Sequence, residues 1–269
     1  MKFALFSKFM RGLSIEEVAS KTRALGLSAV EFPVRGEFEC NLENVGKTLP
    51  SVAKRLHTAG VEIVVVASDI KEADRKEGDY LYEACREAGA PFVRPGYWIV
   101  DGLDYWEKYD RAVRQLGFLQ KLSEKHGVKT LVHVHSGKIL SANCAMTYML
   151  VKDCDPRYVG VYFDPAHIAA DGEDYEMGLG IIRKYLSGVA IKNCCYVQTG
   201  ESSVNGTQWG LRWVSARTGL VPWGKVLQLL KDIDYNGFFC FHAEYTEHES
   251  TEDLVADDVR YIKGILSRI

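Results

Sequence analysis

The feature that most constrains this chain is a pattern repeated eight times. A short run rich in β-branched or aromatic residues is followed each time by a longer segment of helical period. The strand-like runs are Phe3–Phe6, Ala29–Pro33, Val61–Ala67, Phe92–Pro95, Lys129–His135, Val159–Asp164, Gly188–Cys194 and Phe238–Glu244. The helical segments are Ile15–Leu25, Leu42–Thr58, Tyr80–Ala88, Trp106–Lys125, Cys144–Lys152, Tyr175–Leu186, Trp223–Ile233 and Thr251–Leu266. Ser14 with Glu17 forms a capping box that opens the first helix. Gly26, Gly60, Gly89 and Gly127 fall where helices should end.

Strands alternating with helices imply parallel β-α-β units. Eight units in 269 residues match a closed (β/α)8 barrel, read here as a single α/β domain over residues 1–269. The competing fold is an open doubly wound sheet. It would usually carry a glycine-rich phosphate turn after the first strand, but Ser7-Lys8-Phe9-Met10-Arg11-Gly12 contains no such turn. The stretch from Cys195 to Pro222 is rich in Gly, Ser and Thr and reads as one long irregular loop, functional or disordered.

Composition narrows the function classes. A net charge of −3 argues against a nucleic-acid partner. No apolar run reaches the roughly 18 residues of a membrane helix, and the apolar start is too short for a signal-peptide core. Seven cysteines, an odd number without a CxxC pair, suggest a reducing, cytoplasmic setting.

In a barrel, alternate strand residues point inward, and active sites lie at the C-terminal strand ends. Applied here, this places His133 and His135, Tyr162 and Asp164, Ala190 and Lys192, and Cys240, His242 and Glu244 inside. Glu31 and Arg94 also interrupt apolar strands, and His167 follows strand 6 closely. Histidines and carboxylates gathered at one barrel mouth suit a divalent metal or acid–base chemistry.

The opening strand, Gly26-Leu27-Ser28-Ala29-Val30-Glu31, and Val161-Tyr162-Phe163-Asp164-Pro165-Ala166-His167 together resemble the sugar phosphate isomerase/epimerase superfamily, with its xylose isomerase-like TIM barrel. Lys192-Asn193, Gly219-Leu220-Val221-Pro222-Trp223 and Tyr235-Asn236-Gly237 extend the likeness over nearly the whole chain. The resemblance implies one divalent metal held by Glu, Asp, His and Glu from strands 5 to 8. Those positions here are His133, Asp164, Ala190 and His242, so only the aspartate is kept. It therefore implies either a rebuilt site of His133, Asp164 and His242 for Mn, Fe, Co, Ni or Zn, or a site that has lost its metal. Glu244, Lys192 and His135 are then the catalytic candidates, and His167, Arg94, Arg217, Trp98 and Glu31 the substrate-binding ones. Trp209, Trp213 and Trp223 are further aromatic candidates for sugar stacking.

The implied reaction is metal-assisted proton abstraction beside a carbonyl of a sugar or sugar phosphate, giving isomerisation or epimerisation. A lyase or dehydratase shares its first half. The alternative is a sugar-binding or regulatory barrel without chemistry. A DNA-repair endonuclease on the same barrel is disfavoured by the charge and by missing ligands. The likeness also implies a homo-oligomer, a dimer or tetramer.

Overall fold

The computed structural model describes residues 1–71, 76–246 and 250–269. Its central sheet is a closed barrel of parallel strands. They are β1 (Lys2–Phe6), β2 (Ala29–Val34), β3 (Glu62–Ser68), β4 (Phe92–Arg94), β5 (Lys129–His133), β6 (Val159–Phe163), β7 (Leu186–Ile191) and β10 (Phe238–Phe241), with β10 closing on β1. Helices α1 (Ile15–Ala24), α2 (Val45–Thr58), α3 (Lys76–Glu87), α4 (Tyr105–His126), α5 (Cys144–Val151), α6 (Pro165–Asp171), α7 (Tyr175–Ile182), α8 (Trp223–Asp232) and α9 (Thr251–Leu266) alternate with the strands. The expected capping box at Ser14 and Glu17 forms, and the four expected glycines adopt the left-handed conformation.

Side-chain alternation divides the buried residues in two. One set, including Val30, Leu49, Val66, Leu116, Val161 and Val189, lies between strands and helices. The other fills the barrel interior with Ala4, Ala29, Val65, Phe92, Leu131, Tyr162, Ala190, Phe238 and Cys240. Small residues on β1, β2 and β7 face large ones on β4, β5 and β6, so the barrel interior is filled. Gly188 has no room for a side chain, because a Cβ there would lie 2.3 Å from the Phe238 ring.

Three elements differ from the sequence expectation. The stretch expected as a long loop is a β-hairpin of β8 (Asn193–Ser202) and β9 (Gly206–Val214). Its Gly and Ser content hid an alternation of half-exposed residues. The helix expected over 175–186 stops at Ile182, and Leu186 already belongs to β7. Strand β6 ends at Phe163 because Asp164 caps α6, accepting from the amides of Ala166 and His167, with Pro165 in the first turn. That cap turns His167 back over the barrel mouth.

The hairpin and the loop after β10 are tied to α9 by the buried Asp258. Its carboxylate accepts from Ser215 Oγ and the Ala216 amide at 2.8 Å each, and from Tyr245 Oη at 2.8 Å. All seven cysteines are free. Among the described residues, no helix is long and apolar enough to cross a membrane.

Two stability outcomes follow. Gly188→Ala should cost about 1–3 kcal/mol in urea unfolding, since the new methyl must displace the Phe238 ring. Burial pushes the Asp258 carboxyl up to about 6, against the pull of its hydrogen bonds. Between about pH 4 and 6 the folded chain thus holds the proton that the unfolded chain has lost. Stability should fall by about 3 kcal/mol as pH rises through that window. In Asp258→Asn this part of the slope should vanish from a pH series of unfolding curves.

Candidate active site

The polar layer sits directly above the apolar filling of the barrel. Register shifts between Val30 and Glu31, and between Val161 and Tyr162, fall next to two of its members. Tyr162 Oη donates to Glu31 Oε2 at 2.9 Å, and His242 Nε2 meets Glu31 Oε2 at 3.1 Å and Tyr162 Oη at 3.0 Å. Arg94 grips the other Glu31 oxygen through Nε at 2.8 Å and Nη2 at 2.7 Å. Burial works against the Glu31 charge, but Arg94 and His242 hold its carboxyl below the ordinary range. Glu31 and Arg94 are both almost wholly buried, so each depends on the other for its charge.

A second buried cation organises the opposite side. Lys192 Nζ donates to His167 Nε2 at 2.9 Å and to Glu244 Oε2 at 3.0 Å, and lies 3.4 Å from Asp164 Oδ2. Its ammonium sits 4.2 Å from the centre of the Trp213 ring. Burial opposes the charge, yet Asp164 and Glu244 raise the Lys192 pKa above its usual value, so it stays an ammonium. Lys192 in turn holds the Glu244 carboxyl well below the usual range, against the effect of burial. Because Lys192 donates to Nε2, neutral His167 carries its proton on Nδ1 and donates it to Ser136 Oγ at 2.8 Å. Burial and Lys192 also keep His167 neutral, and push His135 down to about 4.

Between these two groups lie His133 and Asp164. His133 Nε2 is 3.3 Å from Asp164 Oδ2, and both atoms are buried without a hydrogen-bond partner among the described residues. His133 Nδ1 meets Tyr97 Oη at 2.9 Å, which itself accepts from Arg94 Nη1 at 2.9 Å. Donor atoms of His133, Asp164 and His242 all lie within 4.8 Å of one another. The orphaned His133 Nε2 and Asp164 Oδ2 suit a divalent cation, which His242 could join only through Nδ1, since its Nε2 is engaged by Glu31 and Tyr162. Glu31, Cys240 and His242 form a second group of this size. There the Glu31 oxygens are already taken by Arg94, Tyr162 and His242.

The cavity outside this layer measures about 480 Å³ and is lined by Phe6, Lys8, His135, Lys192, Trp213 and Glu244, among others. His135 also stacks near His167, with ring centres 3.8 Å apart. The structure thus gathers His133, His135, Asp164, His167, Lys192, His242, Glu244, Glu31 and Arg94 at one barrel mouth.

Two candidates stand elsewhere. Arg217 is exposed, pairs with Asp257 at 3.3 Å and lies over the Tyr261 ring, so α9 engages it instead of the mouth. Trp98 packs beside Tyr97 and lines a separate cavity of about 260 Å³ with Lys71 and Lys108. Of the other tryptophans, Trp213 reaches the site, Trp209 is 62% exposed, and Trp223 is a core residue. Tyr97 and Ser136 were missed from sequence. Both lie just past strand ends, where side-chain alternation no longer applies.

Residues 19–265 match the model of the xylose isomerase-like TIM barrel, and the chain belongs to that family. It is 27% identical over 146 residues to an inosose dehydratase of Bacillus cereus (strain AH820), covering 51% of this chain. The chain spans about half the length of that relative, 48%. Among solved structures it resembles 3-keto-D-glucoside 4-epimerase from E. coli, with a TM-score of 0.75 and 12% identity, covering 98% of this chain and 99% of that one. It also resembles a xylose isomerase-like TIM barrel protein from Mycobacterium smegmatis in complex with magnesium, with a TM-score of 0.73 and 15% identity over 99% and 96% of the two chains. At these identities the structural likeness speaks for the fold.

The buried Glu31–Arg94 pair gives a direct check. Arg94→Met should cost about 3–5 kcal/mol in chemical unfolding, because Glu31 loses its counter-charge and must either stay buried as a bare anion or take up a proton. Adding Glu31→Gln to that variant should recover part of the loss, which a double-mutant cycle reads out.

Proposed function

We propose that this protein is a sugar-modifying enzyme that removes the proton beside a carbonyl of a sugar or sugar derivative. The observation that carries this reading is the Lys192–Glu244 pair at the edge of an open cavity. Glu31 and Asp164 are wholly buried, whereas the Glu244 side chain keeps 29% exposure. Glu244 is thus the carboxylate placed to take a proton from a bound substrate.

Lys192 has two roles in this reading. While it pairs with Glu244, it keeps that carboxylate ionised but weakly basic. A substrate oxygen that takes up one of its N–H bonds loosens this hold and strengthens the base. The same ammonium then faces the negative charge that develops on the oxygen. His167 orients Lys192, and Trp213 offers its face to the C–H surface of the ring.

His133, Asp164 and His242 would hold the divalent ion, with Mn, Fe, Co, Ni or Zn as the candidates. When bound, such an ion supplies polarisation of the carbonyl. His133 would then need a bare Nε2, with its Nδ1 proton donated to Tyr97. The magnesium-bound neighbour supports an ion in a barrel of this fold.

One available carboxylate suits reactions that need one base. Returning the proton to the former carbonyl carbon gives an isomerase; passing it to the hydroxyl on the β carbon, which then leaves as water as the α,β double bond forms, gives a dehydratase. The second outcome is favoured by the inosose dehydratase relative. Epimerisation, the activity named for the E. coli neighbour, would here require a histidine such as His135 as a second base. The enzyme is proposed to act in the cytoplasm on a small sugar or sugar phosphate, as a dimer or tetramer.

The test is deuterium uptake by a panel of ketoses and keto-inositols in D2O, followed by NMR, with the protein loaded with each candidate metal. Wild-type exchange should fall 10²–10⁴-fold in Glu244→Gln. Exchange that survives in this variant overturns Glu244 as the base, and no exchange across the panel overturns the reaction. Elemental analysis should find about one equivalent of metal in the wild type and none in His133→Ala/His242→Ala.

A further inference from the structure

We infer that the ligand of this cavity carries an anionic oxygen group, a phosphate or a carboxylate, and that Arg35 receives it. The inference deepens the proposed function and rests on the same cavity. Arg35 directly follows β2, at the end of the barrel where the candidate site lies. It is half-buried, and its guanidinium carbon lies 5.7 Å from the centre of the Phe6 ring. Phe6 lines the cavity, touches Arg94 on its own account, with that guanidinium carbon at 5.4 Å, and has its ring centre 5.0 Å from that of His242.

The other mouth cations are taken. Arg94 belongs to Glu31, Lys192 to Asp164 and Glu244, and Lys8 to Glu244 at 3.1 Å. Arg35 has no ion pair among the described residues, Glu37 two positions on included. Its Nε is buried without a hydrogen-bond partner. Burial and the nearby Arg94 charge both work against its proton, with Tyr97, Glu31 and Glu37 opposing them. A desolvated, unpaired guanidinium beside a second one is costly to keep. An anionic oxygen group removes that cost, because the planar fork matches phosphate and carboxylate oxygens.

The probes are inorganic phosphate and glycolate, titrated into the whole protein while the arginine Nε–H resonances are followed by ¹⁵N NMR and affinity by calorimetry. The Arg35 resonance should shift with one of the two probes. Affinity should drop at least tenfold in Arg35→Gln, less in Arg35→Lys, and stay unchanged in Arg217→Gln. A response to phosphate alone identifies a phosphorylated ligand, and a response to glycolate alone a carboxylate. No Arg35 shift with either probe, or equal affinity in all variants, overturns the inference. Deuterium exchange on a neutral ketose does not depend on Arg35, so that assay fails or succeeds separately.

Discussion

Everything at the mouth of this barrel depends on two buried cations. Arg94 and Lys192 let Glu31 and Asp164 stay ionised where solvent cannot reach them. A carboxylate alone at that depth would take up a proton, and the hydrogen bonds built on its charge would fail. Tyr162, Tyr97, His133, His167 and His242 all take their orientation from atoms of these two ion pairs, directly or through one intermediate. The small residues below, Ala4, Ala29 and Ala190, leave room for the long side chains above them. The apolar filling and the polar layer are thus one packing solution.

The barrel was legible because its cause is local. Period-two and period-3.6 patterns alternate without interruption, and the inward positions of Tyr162, Asp164, Lys192 and His242 follow from counting along the strands. Counting fails where the chain leaves the ladder. Tyr97 and Ser136 sit on turns whose direction depends on tertiary contacts. The capped start of α6 was hidden because Asp164 reads equally well as the last residue of a strand. The hairpin was hidden by its glycines and by the half-exposed alternation of its strands.

The misplaced candidates have a common physical reason. Arg217 was proposed from the family resemblance and Trp98 from its nearness in sequence to a strand end, but charge and shape partners nearby claim them first. Asp257 and Tyr261 hold the arginine, and the core beside Tyr97 holds the indole. Arg35 shows the converse. Sequence offers no mark to separate it from other loop arginines, and only the lack of a partner in three dimensions does so.

The hairpin of β8 and β9 leaves the barrel immediately after Lys192 and returns with Trp213 against that same lysine. Among the described residues its strands form a two-stranded sheet of their own, outside the closed ladder. The chain has in this way separated two kinds of change. Mutations along the outer hairpin alter the shape of the entrance without touching the register that holds the reactive groups. Beyond Trp213, a change of ligand preference could therefore be made in this appendage without disturbing the barrel beneath it.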